Sequence, residues 1–202
     1  MTNFQFLQKY MSLQKDVMYD SLTVTPFATI GYCKNDRSSF WNLALIEKPI
    51  DKKQLLGIEN TLVGLERKPA LYFEDQEVTS RFATENGYSK SNGDCWLFYE
   101  SAEVDHKNFE MVKKVENSKD LEIFIKTFNN CYQKDDPQNP YGELGEYLEV
   151  AKDAWHKHQN TDRLEYFIVY KNEIPVAVST VNNYQGVGYI SNVGSLRSVR
   201  GE

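Results

Sequence analysis

The sequence predicts an α/β (α+β) fold, in which helices flank a twisted sheet, and three observations predict it. Residues 40–49 have the pattern of a strand, because Trp41, Leu43 and Leu45 occupy alternate positions. Residues 51–65 instead repeat their apolar side chains at helical spacing. Aromatic residues make up 13% of the chain, and aromatic side chains favour strands. Because strand patterns alternate with helix patterns along the chain, we expect helices to pack against a sheet.

The first half of the chain is predicted to begin with a short amphipathic helix and to continue as strands and helices. Asp51 can cap a helix that Pro69 follows, and Gly87 can end a second helix. The predicted elements of this half are helix 4–18, strand 25–35, strand 40–49, a helix between Pro49 and Pro69, strand 70–75, helix 76–87 and strand 94–100.

A polar segment separates this half from the second. Residues 101–110 carry polar and charged side chains and lack the apolar repeat of a helix or a strand. We therefore place the boundary there, between a unit of residues 1–105 and a unit of residues 111–202. Asn117 or Ser118 can cap the first helix of the second unit. The predicted elements are strand 111–116, helix 117–132, loop 133–142, helix 143–159, a hairpin of 164–171 and 174–183 around residues 171–173, and strand 187–195.

Composition and charge exclude several classes of protein. The net charge is −6, and Lys and Arg are scattered, which argues against a nucleic-acid-binding surface. No apolar run has the length of a membrane span, and the first residues lack the apolar core of a signal peptide. Cys33, Cys95 and Cys131 are widely spaced without a CxxC pair. We therefore expect no metal site and no disulfide framework, and reduced thiols fit a cytoplasmic protein.

The order of elements in the second unit, together with its ending, resembles the GNAT superfamily of acyl-CoA-dependent acyltransferases. The shared pieces are "MVKKVE" through "HKHQ", the hairpin "LEYFIVYKNEIPVAVSTV" and the strand and turn "YISNVGSLRSVRGE". Arg200 and Gly201 match the opening of the family's signature, which is Arg or Gln, any two residues, Gly, any residue, then Gly or Ala. The glycine positions that would follow lie beyond Glu202. We therefore expect the natural chain to continue past this residue.

The resemblance implies a mixed, mostly antiparallel twisted sheet flanked by helices. It also implies an N-acetyltransferase, which moves an acetyl group from its co-substrate acetyl-CoA to a primary amine of a small molecule or peptide. In the family an exposed strand edge pairs with the pantetheine arm and holds the acyl carbonyl, and a glycine-rich turn at a helix start binds the pyrophosphate. A backbone N–H on that strand stabilises the oxyanion. Carried over by position, the acetyl-CoA site would be lined by Val193, Gly194, Ser195, Arg200 and Gly201.

Candidate groups for the chemistry and for the acceptor follow from the same resemblance. The attacking amine must lose a proton, which calls for a general base or a positioned water. Glu165 and Tyr189 on the central strands are the candidate bases, and Asn192 could orient a water. Tyr132 and Tyr141 flank the loop between the two helices of the second unit and are expected to wall the acceptor pocket.

The first half resembles part of the same fold in a degenerate form, and an unrelated α+β cap is the alternative. Its strand-to-helix join lacks glycine and carries Glu47 and Asp51, which would not hold a pyrophosphate. We expect residues 69–75 to lie beside residues 187–195, so that the halves complete one sheet. For the function, the alternatives to an enzyme are a non-catalytic GNAT-like module that binds a ligand or partner, and a purely structural fragment.

Overall fold

A computed structural model describes residues 2–91, 93, 97, 108–139, 142–184 and 187–201. The helices are α1 (Asn3–Gln14), α2 (Lys52–Gly64), α3 (Glu77–Glu85), α4 (Ser118–Cys131) and α5 (Tyr147–His158). The strands are β1 (Ser21–Val24), β2 (Thr29–Tyr32), β3 (Leu43–Leu45), β4 (Leu71–Tyr72), β5 (Val112–Lys114), β6 (Leu164–Lys171), β7 (Ile174–Tyr184) and β8 (Val187–Ser195). Short 3₁₀ turns cover Phe109–Met111 and Arg197–Val199.

The described strands form two four-stranded sheets. In the first sheet the order is β1-β2-β3-β4, and all pairs are antiparallel except the parallel pair of β3 and β4. In the second sheet the order is β5-β6-β7-β8, and each of these pairs is antiparallel. The predicted fold class is confirmed, because helices flank sheets that are mixed and mostly antiparallel.

Two helices begin at the capping residues that the sequence predicts. Asp51 accepts a hydrogen bond from the backbone N–H of Gln54 over 2.8 Å, and the Gln54 side chain accepts one from the N–H of Asp51 over 3.0 Å. At the start of α4, Asn117 accepts from the N–H of Asp120 over 3.0 Å. These bonds satisfy N–H groups that have no partner within the helix.

One face of the second sheet packs against α4 and α5. Leu164, Tyr166 and Ile168 point to this face and are buried. Phe124 of α4 is also buried, and its ring centroid lies 4.4 Å from that of Tyr166. Side chains alternate between the two faces of a strand, so the residues between these three face the other side of the sheet.

The hairpin predicted around residues 171–173 is confirmed. β6 and β7 pair in antiparallel fashion, with Leu164 opposite Asn182 and Lys171 opposite Ile174. Asn172 and Glu173 both have positive φ, 51° and 64°. A two-residue turn of this kind twists in the same sense as the strands that it joins, which stabilises the pairing.

The two halves of the chain share buried side chains and hydrogen bonds. Tyr147 and Val150 of α5 pack with the core residues of the first half, and Trp41 stacks on Tyr147 with ring centroids 5.9 Å apart. Arg163, just before β6, donates to two backbone carbonyls at the end of α1 over 3.0 and 2.8 Å. Asn182 of β7 donates to the carbonyl of Leu13 over 2.9 Å. The first half therefore packs directly against the second.

The prediction that residues 69–75 pair with residues 187–195 is wrong. β4 pairs with β3, where Tyr72 lies opposite Leu45, and the two sheets are separate. The reason is local, since β3, α2 and β4 form a strand–helix–strand unit in which the helix returns the chain to a parallel neighbour. β1 was not predicted, because it is only four residues long and three of them are exposed.

Other expectations meet the structure only in part. α1 ends at Gln14, before the predicted end at residue 18, and Asp16 has a φ of 64°, outside the helical region. Cys33 and Cys131 are buried free thiols, whereas Cys95 and nearly all of strand 94–100 lie outside the described residues.

In the described part of the chain, no helix is both long and apolar enough to cross a membrane. No group of three or more His, Cys, Asp or Glu side chains in these residues could hold a metal ion.

Candidate functional site

A bulge interrupts β8 within the segment predicted to bind the acyl group. Ser191 lies opposite Thr180, and Gly194 lies opposite Val178, so two residues of β8 face one residue of β7 between these pairs. One of the two is Asn192, which has a φ of 51° in the left-handed region. An extra residue of this kind bends the strand and turns its backbone groups away from the ladder.

The bulged strand also forms one edge of its sheet. β8 pairs with β7 alone among the strands of the described ranges. Val193, at the bulge, is 63% exposed, so a ligand has access to the strand here. Beyond Ser195 the chain makes a 3₁₀ turn and reaches Gly201. Gly201 has a φ of 82°, a backbone conformation that glycine adopts more readily than other residues. The sequence thus places a bulged edge directly before a glycine turn.

Two tyrosines hold the bulge from the helical side of the sheet. The hydroxyl of Tyr147, in the first turn of α5, donates to Oδ1 of Asn192 over 2.7 Å. The hydroxyl of Tyr132, just after α4, donates to the carbonyl of Val193 over 2.9 Å. These bonds fix both residues of the bulge. Tyr132 and Tyr141 were predicted to wall the acceptor pocket. The structure places Tyr132 against the strand, whereas Tyr141 lies outside the described residues.

Gly194 allows α4 to approach the bulged strand closely. A Cβ atom at this position would lie 2.8 Å from Cβ of Cys131 and 2.9 Å from Cε2 of Tyr132. Both distances are shorter than real contacts of a Cβ atom, and the Cys131 atom is attached directly to the backbone of the helix. The end of α4 can therefore reach β8 only because residue 194 has no side chain.

Substitution of Gly194 by alanine is expected to reduce the free energy of unfolding by about 1–3 kcal/mol, because overpacking forces the helix away from the strand. Thermal and urea unfolding would measure the loss. Gly188→Ala is the matched control on the same strand, since a Cβ there would meet its nearest atom at an ordinary 3.4 Å. Equal stability of the two variants would contradict this account of the packing.

Arg200 ties the end of the strand to α4. Its guanidinium pairs with Asp136 over 2.6 Å and donates to the carbonyls of Ser195 and Cys131 over 3.1 and 3.4 Å. The N–H of Gln138, and then Arg200, hold the pKa of the Asp136 carboxyl below its usual range. The Arg200 side chain thus binds protein groups, and its predicted role at a pyrophosphate stays a prediction.

The predicted catalytic residues divide between the two faces of the sheet. Tyr189 lies opposite Asn182 and so faces the helical side, where the Asn192 side chain also lies against Tyr147. Glu165 lies opposite Val181 on the other face and forms an ion pair with a lysine of β5. The structure therefore brings Tyr189 and Asn192 together but leaves Glu165 apart from them.

Further tyrosines surround this pair, and we call Tyr10, Tyr19, Tyr72, Tyr147 and Tyr189 the tyrosine cluster. The rings of Tyr10 and Tyr189 are in edge contact with centroids 4.7 Å apart. Burial is the main cause that raises the pKa values of the Tyr10, Tyr19 and Tyr147 phenols, and neighbouring tyrosines of the cluster raise the values of Tyr10 and Tyr19 further. These phenols therefore stay protonated at neutral pH.

Tyr10 is a residue of the site that sequence reasoning missed. It lies on α1, in the first half of the chain, and its partner Tyr189 lies on β8 at the other end. The helical spacing of apolar residues in α1 predicts that Leu7 and Met11 face the core. This spacing does not indicate that the helix packs near β8. Only the packing of the two halves brings Tyr10 to the bulged strand.

Comparison with known proteins supports the fold. No family model and no curated protein matches the chain. Among solved structures, a GCN5-related N-acetyltransferase from Kribbella flavida superposes with a TM-score of 0.55 and 15% identity, over 97% of this chain and 74% of that chain. A conserved protein of unknown function from Staphylococcus epidermidis ATCC 12228 has a TM-score of 0.55 and 13% identity, over 92% and 75%. At these identities the likeness shows the fold alone, and the fold of this chain is GNAT-like.

Proposed function

We propose that this protein is an N-acetyltransferase that uses acetyl-CoA and acts on a primary amine of a small molecule or peptide. The observation that carries the proposal is the bulged edge at Asn192 and Val193, which is exposed and is followed by the turn at Gly201. A GNAT-like fold with this feature in β8 supports acyl transfer over other activities of α+β proteins.

The edge of β8 is suited to an extended ligand that carries amide groups. Backbone groups of Val193 and Ser195 would pair with the two amides of the pantetheine arm, as a sheet edge pairs with a peptide. The Val193 carbonyl has two lone pairs, so it can keep the bond from Tyr132 and accept another. Acetyl-CoA would supply the activated acetyl group at this place.

The groups that surround the bulge are suited to handling protons without carrying charge. The amine nitrogen must lose a proton when it bonds to the acetyl carbon, and the departing sulfur must gain one when the C–S bond breaks. Tyr189 and Asn192, which face the same side of the strand, are the proposed groups that hold a water or a proton there. A backbone N–H at the bulge, such as that of Val193, would stabilise the oxyanion.

A second candidate function is binding of an acyl-CoA or a related ligand without catalysis. The observation in its favour is the position of Glu165, the carboxylate among the predicted bases, which is ion-paired on the opposite face of the sheet. A site that relied on this carboxylate as its base would have no access to it from the bulge.

Two measurements separate these functions. With the full-length natural protein, acetyl-CoA at saturation should raise the melting temperature by mass action, and addition of primary amines should release free thiol that a disulfide reagent detects. A thermal shift without release of thiol favours the binding module. No shift at saturating acetyl-CoA contradicts both functions.

A variant at the bulge makes the test specific to the site. In Asn192→Ala the left-handed conformation becomes unfavourable and the acceptor for the Tyr147 hydroxyl is lost. We expect transfer to fall at least about tenfold, since positioning contributes strongly to rate. Asn183→Ala on β7 is the control, because its side chain donates to the carbonyl of Asp162 at the far end of the strand. Equal rates of the two variants would contradict a site at the bulge.

A further inference from the structure

We propose that the tyrosine cluster is the acceptor site and that it takes a primary amine carried on an uncharged, aromatic or apolar body. This inference rests on the proposed function, because it names the substrate class of the same site. It also assigns a part of the site to the first half of the chain, through Tyr10, Tyr19 and Tyr72.

The position of the cluster follows from contacts made by its members. Tyr147 donates to Asn192 at the bulge, and Tyr189 lies three residues earlier on the same strand. Tyr10 contacts Tyr189 from α1. Tyr10, Tyr72, Tyr147 and Tyr189 keep part of their surface accessible, whereas Tyr19 is buried behind them. An amine held among these rings would therefore lie next to the bulged strand.

The charge character of the cluster selects against acidic ligands. Burial is the largest influence on the pKa values of the Tyr10, Tyr19 and Tyr147 phenols. The other groups that shift these pKa values are tyrosines, the Cys33 thiol and the Asn192 amide. All of these groups are neutral at pH 7. A carboxylate or a phosphate on the acceptor would lose its hydration here without meeting a cation among these groups. An acceptor whose apolar or aromatic part is uncharged does not lose the hydration of a charged group when it binds.

The rings themselves can recognise the rest of such an acceptor. Aromatic faces bury an apolar or aromatic body against their carbon atoms. The hydroxyls can both donate to and accept from an amine nitrogen. A surrounding of neutral groups also disfavours the charged ammonium form, and the neutral amine is the form that can attack a carbonyl.

A buried acceptor next to the cluster provides a second observation. Asn182 lies opposite Tyr189 on the same face of the sheet and is 1% exposed. Its amide nitrogen donates to Leu13 and Gln14, but its Oδ1 has no hydrogen-bond partner among the described residues. Buried acceptors are usually satisfied, so this oxygen is available to a water or to an N–H of a bound amine.

Binding without acetyl-CoA tests the inference separately from catalysis. Titration calorimetry would compare phenethylamine with phenylalanine, which adds a carboxylate to the same body. We expect phenethylamine to bind the full chain at least about tenfold more tightly than phenylalanine, because the added charge must be desolvated. Equal affinity for the two ligands, or no binding of phenethylamine at millimolar concentration, would overturn the assignment.

Variants locate the binding. Tyr10→Phe keeps the ring and its packing but removes the hydroxyl, and we expect phenethylamine binding to weaken about threefold to tenfold. Tyr170→Phe is the matched control, because this ring lies on β6 beside Lys113, away from the cluster. Unfolding curves would confirm that both variants are folded. Equal affinity of the two variants would place the amine elsewhere.

The outcomes for the two proposals are distinguishable. Phenethylamine binding that is weakened by Tyr10→Phe, without release of thiol from acetyl-CoA, would support the acceptor site and contradict the enzyme. Acetyl transfer confined to amines that carry a carboxylate or phosphate would support the enzyme and overturn the inference about its substrate.

Discussion

Replacement of Arg67 by lysine is expected to lower the free energy of unfolding by about 2–4 kcal/mol, because a planar guanidinium serves several buried acceptors that an ammonium cannot reach together. Arg67 is 7% exposed. It donates to Oδ1 of Asn42 over 3.2 Å and to the carbonyls of Cys33 and Lys34 over 3.1 and 2.8 Å. Its guanidinium also lies over the ring of Tyr32, 5.1 Å from the centroid.

Urea unfolding of the two forms would measure this loss. Arg81→Lys is the matched control, since Arg81 makes an exposed ion pair with Glu77 on α3, and exposed pairs contribute little. The control should change the free energy of unfolding by less than about 0.5 kcal/mol. A loss in the Arg67 variant no larger than that of the control would show that the carbonyls find other partners, such as water.

The second large effect is expected at Gly31 in β2. A Cβ atom there would lie 2.5 Å from Cε1 and 2.8 Å from Cδ1 of Tyr19. The ring cannot move aside easily, because Tyr19 is buried and makes an edge contact with Trp41 at 5.5 Å. Gly31→Ala should therefore cost about 2–3 kcal/mol, which corresponds to a fall in melting temperature of about 4–12 °C for a chain of this size.

A control and a second measurement make the Gly31 prediction informative about the site. Gly57→Ala, within α2, meets no atom within 4 Å, and alanine is the better helix former, so this variant should be at least as stable as the natural chain. Because Tyr19 belongs to the tyrosine cluster, Gly31→Ala should also weaken phenethylamine binding. A stable Gly31→Ala protein with unchanged amine binding would contradict the packing of Tyr19 against β2.

The elements that could be predicted from the sequence are those with local signals. The cap residues Asp51 and Asn117 stand at the starts of α2 and α4, because side-chain oxygens there bind N–H groups a few residues away. The turn at Asn172 and Glu173 is likewise local. In each case the residues that decide the structure lie within one turn or one hairpin of each other, so a single segment contains the whole cause.

Features that depend on distant contacts could not be predicted in this way. The partner of β4 was assigned wrongly, because a two-residue strand has no pattern that selects between two sheet edges. Of the candidate site, the strand with Asn192 and Val193 could be found from its resemblance to a family, but Tyr10 and Tyr147 could not. Their role depends on how α1 and α5 pack against β8, which no periodicity encodes.

The bond between Asn182 and Leu13 has a consequence for the order in which the molecule forms. The two residues are 169 positions apart, and contacts of such long range slow folding because a large loop must close before they form. A ribosome synthesises the chain from its N-terminus, so α1 emerges long before β8 exists. The contact between Tyr10 and Tyr189 can therefore form only after β8 has been synthesised. The acceptor site is expected to be among the last parts of the protein to assemble.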